Sequence, residues 1–139
     1  MNFQKSKYRK MHKPRTPCTP FEQKRLLPLY GVYALRVLKT ARVSFSQLDS
    51  ARRTLRKVIK KNAFLWQVAF ADQPVTSKPA EVRMGKGKGA FSHNVALVVS
   101  GSILFELGGP NLTEKLAKQA FLQATYKLGL PTEFVRYSV

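Results

Sequence analysis

Val43-Ser-Phe-Ser-Gln-Leu-Asp-Ser-Ala-Arg-Arg-Thr-Leu-Arg-Lys-Val-Ile-Lys-Lys-Asn62, followed by Ala63-Phe-Leu-Trp-Gln-Val-Ala-Phe70, changes its hydrophobic period once, and that change sets the fold class. In the first part Phe45, Leu48, Ala51, Leu55, Val58 and Ile59 recur at helical spacing, so a helix over Val43 to Asn62 has one apolar face. Ser44 followed by Gln47 is a capping-box pattern. From Ala63 the period falls to two. Phe64, Trp66, Val68 and Phe70 then share one side of a strand over Ala63 to Phe70. A chain that uses both periods this closely builds an α+β domain.

Working outward, Leu26 to Leu38 is apolar and aromatic and reads as a strand or a short extended pair. Asn94 to Val99 and Ile103 to Leu107 read as strands joined by Ser100-Gly101-Ser102, and a hairpin is expected between them. Gly108-Gly109-Pro110 breaks the run. A second helix starts at Asn111 or Thr113 and ends at Leu128, burying Leu116, Ala117, Ala120, Ala124 and Leu128. Gly129 and Pro131 stop it. Thr132 to Arg136 is the last strand. The expectation is one compact domain over 21–139, with two helices on a mainly antiparallel sheet. Residues 1–20 precede it as an arm.

The charge restricts the function. The chain has 139 residues, with 25 Lys and Arg against 7 acids, a net +18. Self-repulsion on that scale destabilises a compact state unless a polyanion relieves it, so nucleic acid is the expected partner. Residues 1–62 hold 17 cations and 2 acids, and residues 63–139 hold 8 and 5. Within the arm stand Lys5, Lys7, Tyr8, Arg9, Lys10, His12, Lys13 and Arg15. Prolines at 14, 17 and 20 forbid a continuous helix there. The arm should order only on its partner. On the first helix Arg52, Arg53, Arg56, Lys57, Lys60 and Lys61 are expected to contact phosphate, from a face read as free of acids. Cys18 is alone, so no intrachain disulfide forms. No apolar run is long enough to span a bilayer. The polar, Pro-rich arm also lacks the apolar face of an interfacial helix, so no membrane partner is expected.

Pro74-Val-Thr-Ser-Lys-Pro-Ala-Glu-Val-Arg-Met-Gly-Lys-Gly-Lys-Gly89 lies between apolar segments and is expected to form a long loop over residues 71–92. Lys78, Arg83, Lys86 and Lys88 supply charge. Gly85, Gly87 and Gly89 allow close backbone approach. The spacing is neither a P-loop nor a dinucleotide fingerprint. Anchored at both ends, such a loop reaches roughly 30 Å, beyond the ~14 Å radius of gyration of the domain. His12 and His93 are far apart and have no Cys or paired-acid company, so they read as RNA-facing or surface residues. No carboxylate pair suggests acid–base work. Neither a catalytic centre, a metal site nor a cofactor is expected.

These residues carry a resemblance. Pro74 to Gly89 strongly resembles the signature loop of the bacterial-type family of large ribosomal subunit protein sixteen. Lys7-Tyr-Arg-Lys-Met-His-Lys13 resembles that family's arm, and Ala51-Arg52-Arg53 its first helix. Leu65-Trp66 to Phe70, Ile103-Leu-Phe-Glu106 and Lys127-Leu128 to Phe134-Val135 resemble its strands and C-terminal half. The resemblance implies a hammerhead-type α+β fold and a structural role in translation. The implied partners are large-subunit rRNA, tRNA in the A- and P-site region, and neighbouring large-subunit proteins, with the chain monomeric within the ribosome. It places Arg83, Met84, Lys86 and Lys88 nearest the peptidyl transferase centre. The chain departs from the family between residues 14 and 42: Pro14-Arg-Thr-Pro-Cys-Thr-Pro20 replaces a Gly-rich run, and Ala34, Lys39, Thr40 and Arg42 are unusual. Such drift implies an organellar, mitochondrial member rather than a plastid or bacterial one. A family-like arm starting almost at Met1 implies synthesis inside the organelle. The alternative is a non-ribosomal RNA-binding or RNA-modifying factor that uses the Gly-Lys loop.

Overall fold

The hydrophobic period changes where a helix hands over to a strand. The computed structural model describes residues 8–12 and 27–137. Within them the order is β1 (Tyr33–Val37), β2 (Ala41–Ser44), α1 (Phe45–Ile59), β3 (Phe64–Gln67), β4 (Gln73–Ser77), β5 (Ala90–Val98), β6 (Ile103–Gly108), α2 (Glu114–Leu128) and β7 (Thr132–Arg136). The strands pair antiparallel in two sheets, ordered β3-β6-β1-β7 and β2-β5-β4. The expected α+β class holds, with the antiparallel strands divided between two sheets.

Local chemistry sets both helices. At the start of α1 the Ser44 hydroxyl accepts from the Gln47 backbone N–H at 3.3 Å, and Gln47 Oε1 accepts from the Ser44 N–H at 2.8 Å. Ser44 is extended because β2 runs directly into the cap. The helix expected from Val43 therefore gives its first residues to a strand. It also ends at Ile59 rather than Asn62. Lys60 takes a φ of 50°, while its N–H still closes onto the Arg56 carbonyl. Thr113 caps α2, and Gly129 ends it in the left-handed conformation at φ 67°. Gln47 Nε2 donates to the Leu128 carbonyl at 3.1 Å, so the cap of α1 also satisfies an orphan carbonyl at the end of α2.

The apolar faces meet in one core. Leu48, Ala51, Leu55 and Ile59 of α1 and Ala117, Ala120, Phe121, Ala124 and Leu128 of α2 are buried against Leu35, Phe105 and Leu107. Phe134 of β7 stacks on Tyr33 at 5.5 Å and meets Phe121 at 6.0 Å. Strand β3 turns Leu65 towards this core. Phe64 and Trp66 lie on the opposite face, where Phe64 is exposed.

Strand β6 is buried along its whole length. Among the described residues no helix lies over Glu106 on the strand's outer face. The segment before β1 covers it instead. Glu106, almost fully buried, accepts from the backbone N–H groups of Leu29, Tyr30 and Gly31 at 2.7–3.2 Å. The Tyr30 ring stacks on Trp66 with centroids 6.3 Å apart. Gly31 sits so close to β6 that a Cβ would lie 2.6 Å from the Leu107 carbonyl oxygen. Of the strand or short extended pair expected over Leu26 to Leu38, the structure forms the single strand, Tyr33–Val37, preceded by this cover.

Two further expectations give way. Strands β5 and β6 do not form a hairpin. Both edges of β6 are taken by β3 and β1, and both edges of β5 by β2 and β4. Gly101, at φ 88°, carries the chain from one sheet to the other, donating to the Val37 carbonyl at 2.7 Å. The loop expected over 71–92 shrinks to 78–89, because Gln73–Ser77 pairs with β5. Pro74 hid that strand in the sequence, yet β4 is an edge strand, where a missing N–H is tolerated.

Gly31→Ala and Glu106→Gln should each lower stability by about 1–3 kcal/mol, the first by a backbone clash and the second by facing N–H donors with an amide NH₂. Because both act on the same cover, the double variant should lose less than the sum of the two losses. Urea unfolding of the three variants measures this, and unchanged midpoints would show that the cover is dispensable.

Candidate nucleic-acid interface

The β4–β5 hairpin carries the basic loop away from the core. β5 has nine residues. Only Val95–Val98 pair with β2, while Ala90–Val95 pair with β4. The outer stretch Ala90–His93 is exposed. The paired hairpin extends roughly 17 Å before the loop begins. At its base Gly89 lies against Ser77, where a Cβ would come within 2.5 Å of the Ser77 carbonyl oxygen. At its tip three consecutive residues have positive φ: Gly85 at 96°, Lys86 at 54° and Gly87 at 93°. No neighbour lies within 4 Å of a Cβ placed on Gly85 or Gly87, so these glycines serve backbone conformation and not packing.

The loop cations are exposed. Lys78, Arg83, Lys86 and Lys88 all face solvent, and the Met84 side chain is 100% exposed. Lys78 Nζ hydrogen-bonds to the Gly85 carbonyl and braces the loop from within. An apolar side chain held fully in water at the tip of a basic loop suits contact with a partner and nothing in its own fold.

The arm and the loop come together. Lys10 Nζ donates to the Lys88 carbonyl at 2.9 Å, and Lys88 Nζ donates to the Met11 carbonyl. Residues 8–12, among them Tyr8, Arg9, Lys10 and His12, are exposed on their other sides. Lys5, Lys7, Lys13, Arg15 and Cys18 lie outside the described residues.

The α1 face needs a correction. It is not free of acid. Asp49 pairs with Arg53 at 2.8 Å and with Arg52 at 3.3 Å, and Arg52 is half-buried. Asp49 sits three and four residues ahead of them, so it lies on the same stripe of helix. Its charge was legible in the sequence, but its distance from the later cations concealed its reach. Arg56, Lys57, Lys60 and Lys61 are exposed and make no ion pair among the described residues. No recorded contact joins this face to the arm or the loop.

A cleft of about 580 Å³ opens between residues 11–12, the β4–β5 hairpin and the start of α1. Arg42, Lys88, His12 and His93 line it, with Gln73, Thr76 and the apolar Pro74, Val75 and Val95. The sequence treated the two histidines as unrelated. Strand pairing sets His93 in the wall of the cavity, and the Lys10 and Lys88 bonds bring residues 11–12, with His12, over it. Among the described residues no cluster of His, Cys, Asp or Glu could hold a metal ion, and no helix is long and apolar enough to cross a membrane.

The model of the family described as ribosomal protein L16p/L10e matches residues 3–135. The large ribosomal subunit protein uL16 of Buchnera aphidicola subsp. Baizongia pistaciae (strain Bp) is 41% identical over 135 residues, covering 94% of this chain and 92% of that protein. The match spans arm, both helices, hairpin loop and C-terminal strand, and on that basis this chain belongs to the ribosomal protein L16p/L10e family.

Proposed function

We propose that this chain is a structural, non-enzymatic constituent of the large ribosomal subunit that binds large-subunit rRNA and helps organise the tRNA-binding region near the peptidyl transferase centre. The observation that carries the RNA reading is how the charges are allocated. Among the described residues the carboxylates of Asp49, Glu106, Glu114 and Glu133 are held in hydrogen bonds or ion pairs of the fold. The loop cations and the outer turn of α1 pair with no carboxylate among the described residues, and the chain keeps a net +18 for a polyanion to neutralise. Family membership makes the polyanion rRNA.

The roles divide by position. Residues 1–20 act as the RNA-binding arm and 21–139 as the folded domain. Arg56, Lys57, Lys60 and Lys61, with the arm cations, supply bulk phosphate contact. Arg83, Met84, Lys86 and Lys88, on a hairpin that projects from the core, contact rRNA and tRNA in the A- and P-site region. Neighbouring large-subunit proteins complete the environment, and the chain acts as a monomer within the ribosome. Its departures between residues 14 and 42 support a mitochondrial ribosome, although the relative described above is bacterial. Ultracentrifugal fractionation with mass spectrometry assigns the compartment: recovery with a mitochondrial large subunit is expected, and recovery with a plastid or bacterial one overturns that assignment.

Binding of the purified chain to large-subunit rRNA should weaken steeply with salt, with a log–log slope of about 0.9 or less per phosphate neutralised. Lys60→Ala should reduce that slope by about 1 without changing sequence preference. Salt-independent binding would refute the electrostatic reading.

Arg83→Ala and Lys86→Ala should leave the unfolding free energy from urea titration within ~0.5 kcal/mol of wild type, because both side chains are exposed. Both should lower peptide synthesis by reconstituted ribosomes. Normal synthesis by both variants would remove the loop from the tRNA region.

A further inference from the structure

We propose that the cleft between residues 11–12, the β4–β5 hairpin and the start of α1 is a binding site for one unpaired nucleotide of RNA. The proposal rests on the RNA-binding reading above and adds a site to the arm, loop and helix contacts. At about 580 Å³ the cleft falls within the usual range for sites that enclose a small molecule. It has room for one sugar, base and phosphate.

Strand register explains why its walls are polar. Gln73 pairs with Val95, Val75 with His93, and Ser44 with Val95, while Arg42 is two residues from Ser44 on the same strand. With a side-chain period of two, these residues share one face of the β2-β5-β4 sheet. The other face carries Val43, Ala96 and Val98 into the core. A sheet with one buried face usually turns its other face to solvent. Here residues 11–12 and Lys88 are placed over it instead, held by the reciprocal Lys10 and Lys88 bonds. The register shifts between Val75 and Thr76, where β5 carries the extra residue Ser92, and both Val75 and Thr76 line the cleft.

The chemistry is that of a nucleotide site. Arg42 and Lys88 bring positive charge to the cavity, and among the described residues no carboxylate lines it. That charge attracts a phosphate, and an arginine fork suits its geometry. The Gln47 amide is spent on the α1 cap and the Leu128 carbonyl. The Gln73 amide and the Thr76 hydroxyl make no recorded hydrogen bond among the described residues, which leaves them for the edge of a base. His93 is exposed, with Nδ1 3.0 Å from the Ser92 hydroxyl, and offers a ring face for stacking. Pro74, Val75 and Val95 supply apolar surface. Proteins read RNA mainly through such splayed, unpaired bases, because the A-form major groove is too narrow for side chains.

The test uses the full chain with a short unstructured RNA containing 4-thiouridine, and separately with large-subunit rRNA. Irradiation should cross-link the oligonucleotide to peptides carrying Gln73, Thr76 or His93. The double variant Gln73→Ala, His93→Ala should bind the oligonucleotide about tenfold more weakly, the size expected for one lost base stack. Its salt slope should not change, since neither substitution removes a lysine or arginine. Thr76→Val, a shape-conserving change, should also weaken binding with its unfolding midpoint retained. Cross-links confined to other regions, or wild-type affinity in the double variant, overturn the cleft site. If the wild-type chain binds rRNA with a steep salt slope while the cleft variants are unaffected, only the nucleotide site falls. If wild type binds neither RNA, the RNA-binding reading falls with it.

Discussion

The carboxylate of Glu106 is the contact around which one half of the molecule is arranged. β6 lies in the middle of its sheet and is buried on both faces, but the two helices cover only one of them. On the other face Leu29, Tyr30 and Gly31 lie over Glu106, and their N–H groups converge on its carboxylate. A short irregular segment has no ladder of its own, so its N–H groups would be unsatisfied when pressed against a sheet. The carboxylate satisfies three of them. In return those donors offset the cost of taking an acidic side chain out of water. Gly31 then allows main chain to lie on main chain, and Tyr30 comes to rest on Trp66. Gly108 makes room beneath the Trp66 ring.

The same economy of acids shapes the surface. Asp49 steadies Arg52 and Arg53, Glu133 pairs across strands with Arg36 at 2.6 Å, and Glu114 joins Lys118 to Arg136. The hydrogen bond from Lys118, and its charge, hold the Glu114 carboxyl below its ordinary range. Asp49, Glu114 and Glu133 thus brace the scaffold locally, while the arm, the hairpin loop and the last turn of α1 retain positive charge. The loop adds reach to this charge. One end of β5 is fixed between two strands over the core, and its other end leaves the core paired, among the described strands, with β4 alone.

Much of the fold was legible because it depends on local rules. Ser44 and Gln47 cap α1 through groups three residues apart, and Gly129 ends α2 because glycine accepts positive φ at little cost. The last strand, Thr132–Arg136, lies where its pattern put it. Failures arose where distant segments decide. Nothing near Pro74 says that its strand lies at an edge, and nothing near Ser100 says that the next strand belongs to another sheet. Phe64 and Trp66 alternate clearly, but alternation alone does not say which side faces the core.

The sequence by itself determined the class of fold, the Ser44 cap and the Gly129 stop, the charge and the loop signature, since each is written in neighbouring residues. Tertiary structure decided that the arm and the loop share the Lys10 and Lys88 bonds, and that His12 and His93 line one cleft. It also decided that Glu106 belongs to the scaffold. These relations join residues far apart in the chain. They arise only when strand register fixes which side chains share a face, and register follows from the packing of the whole core.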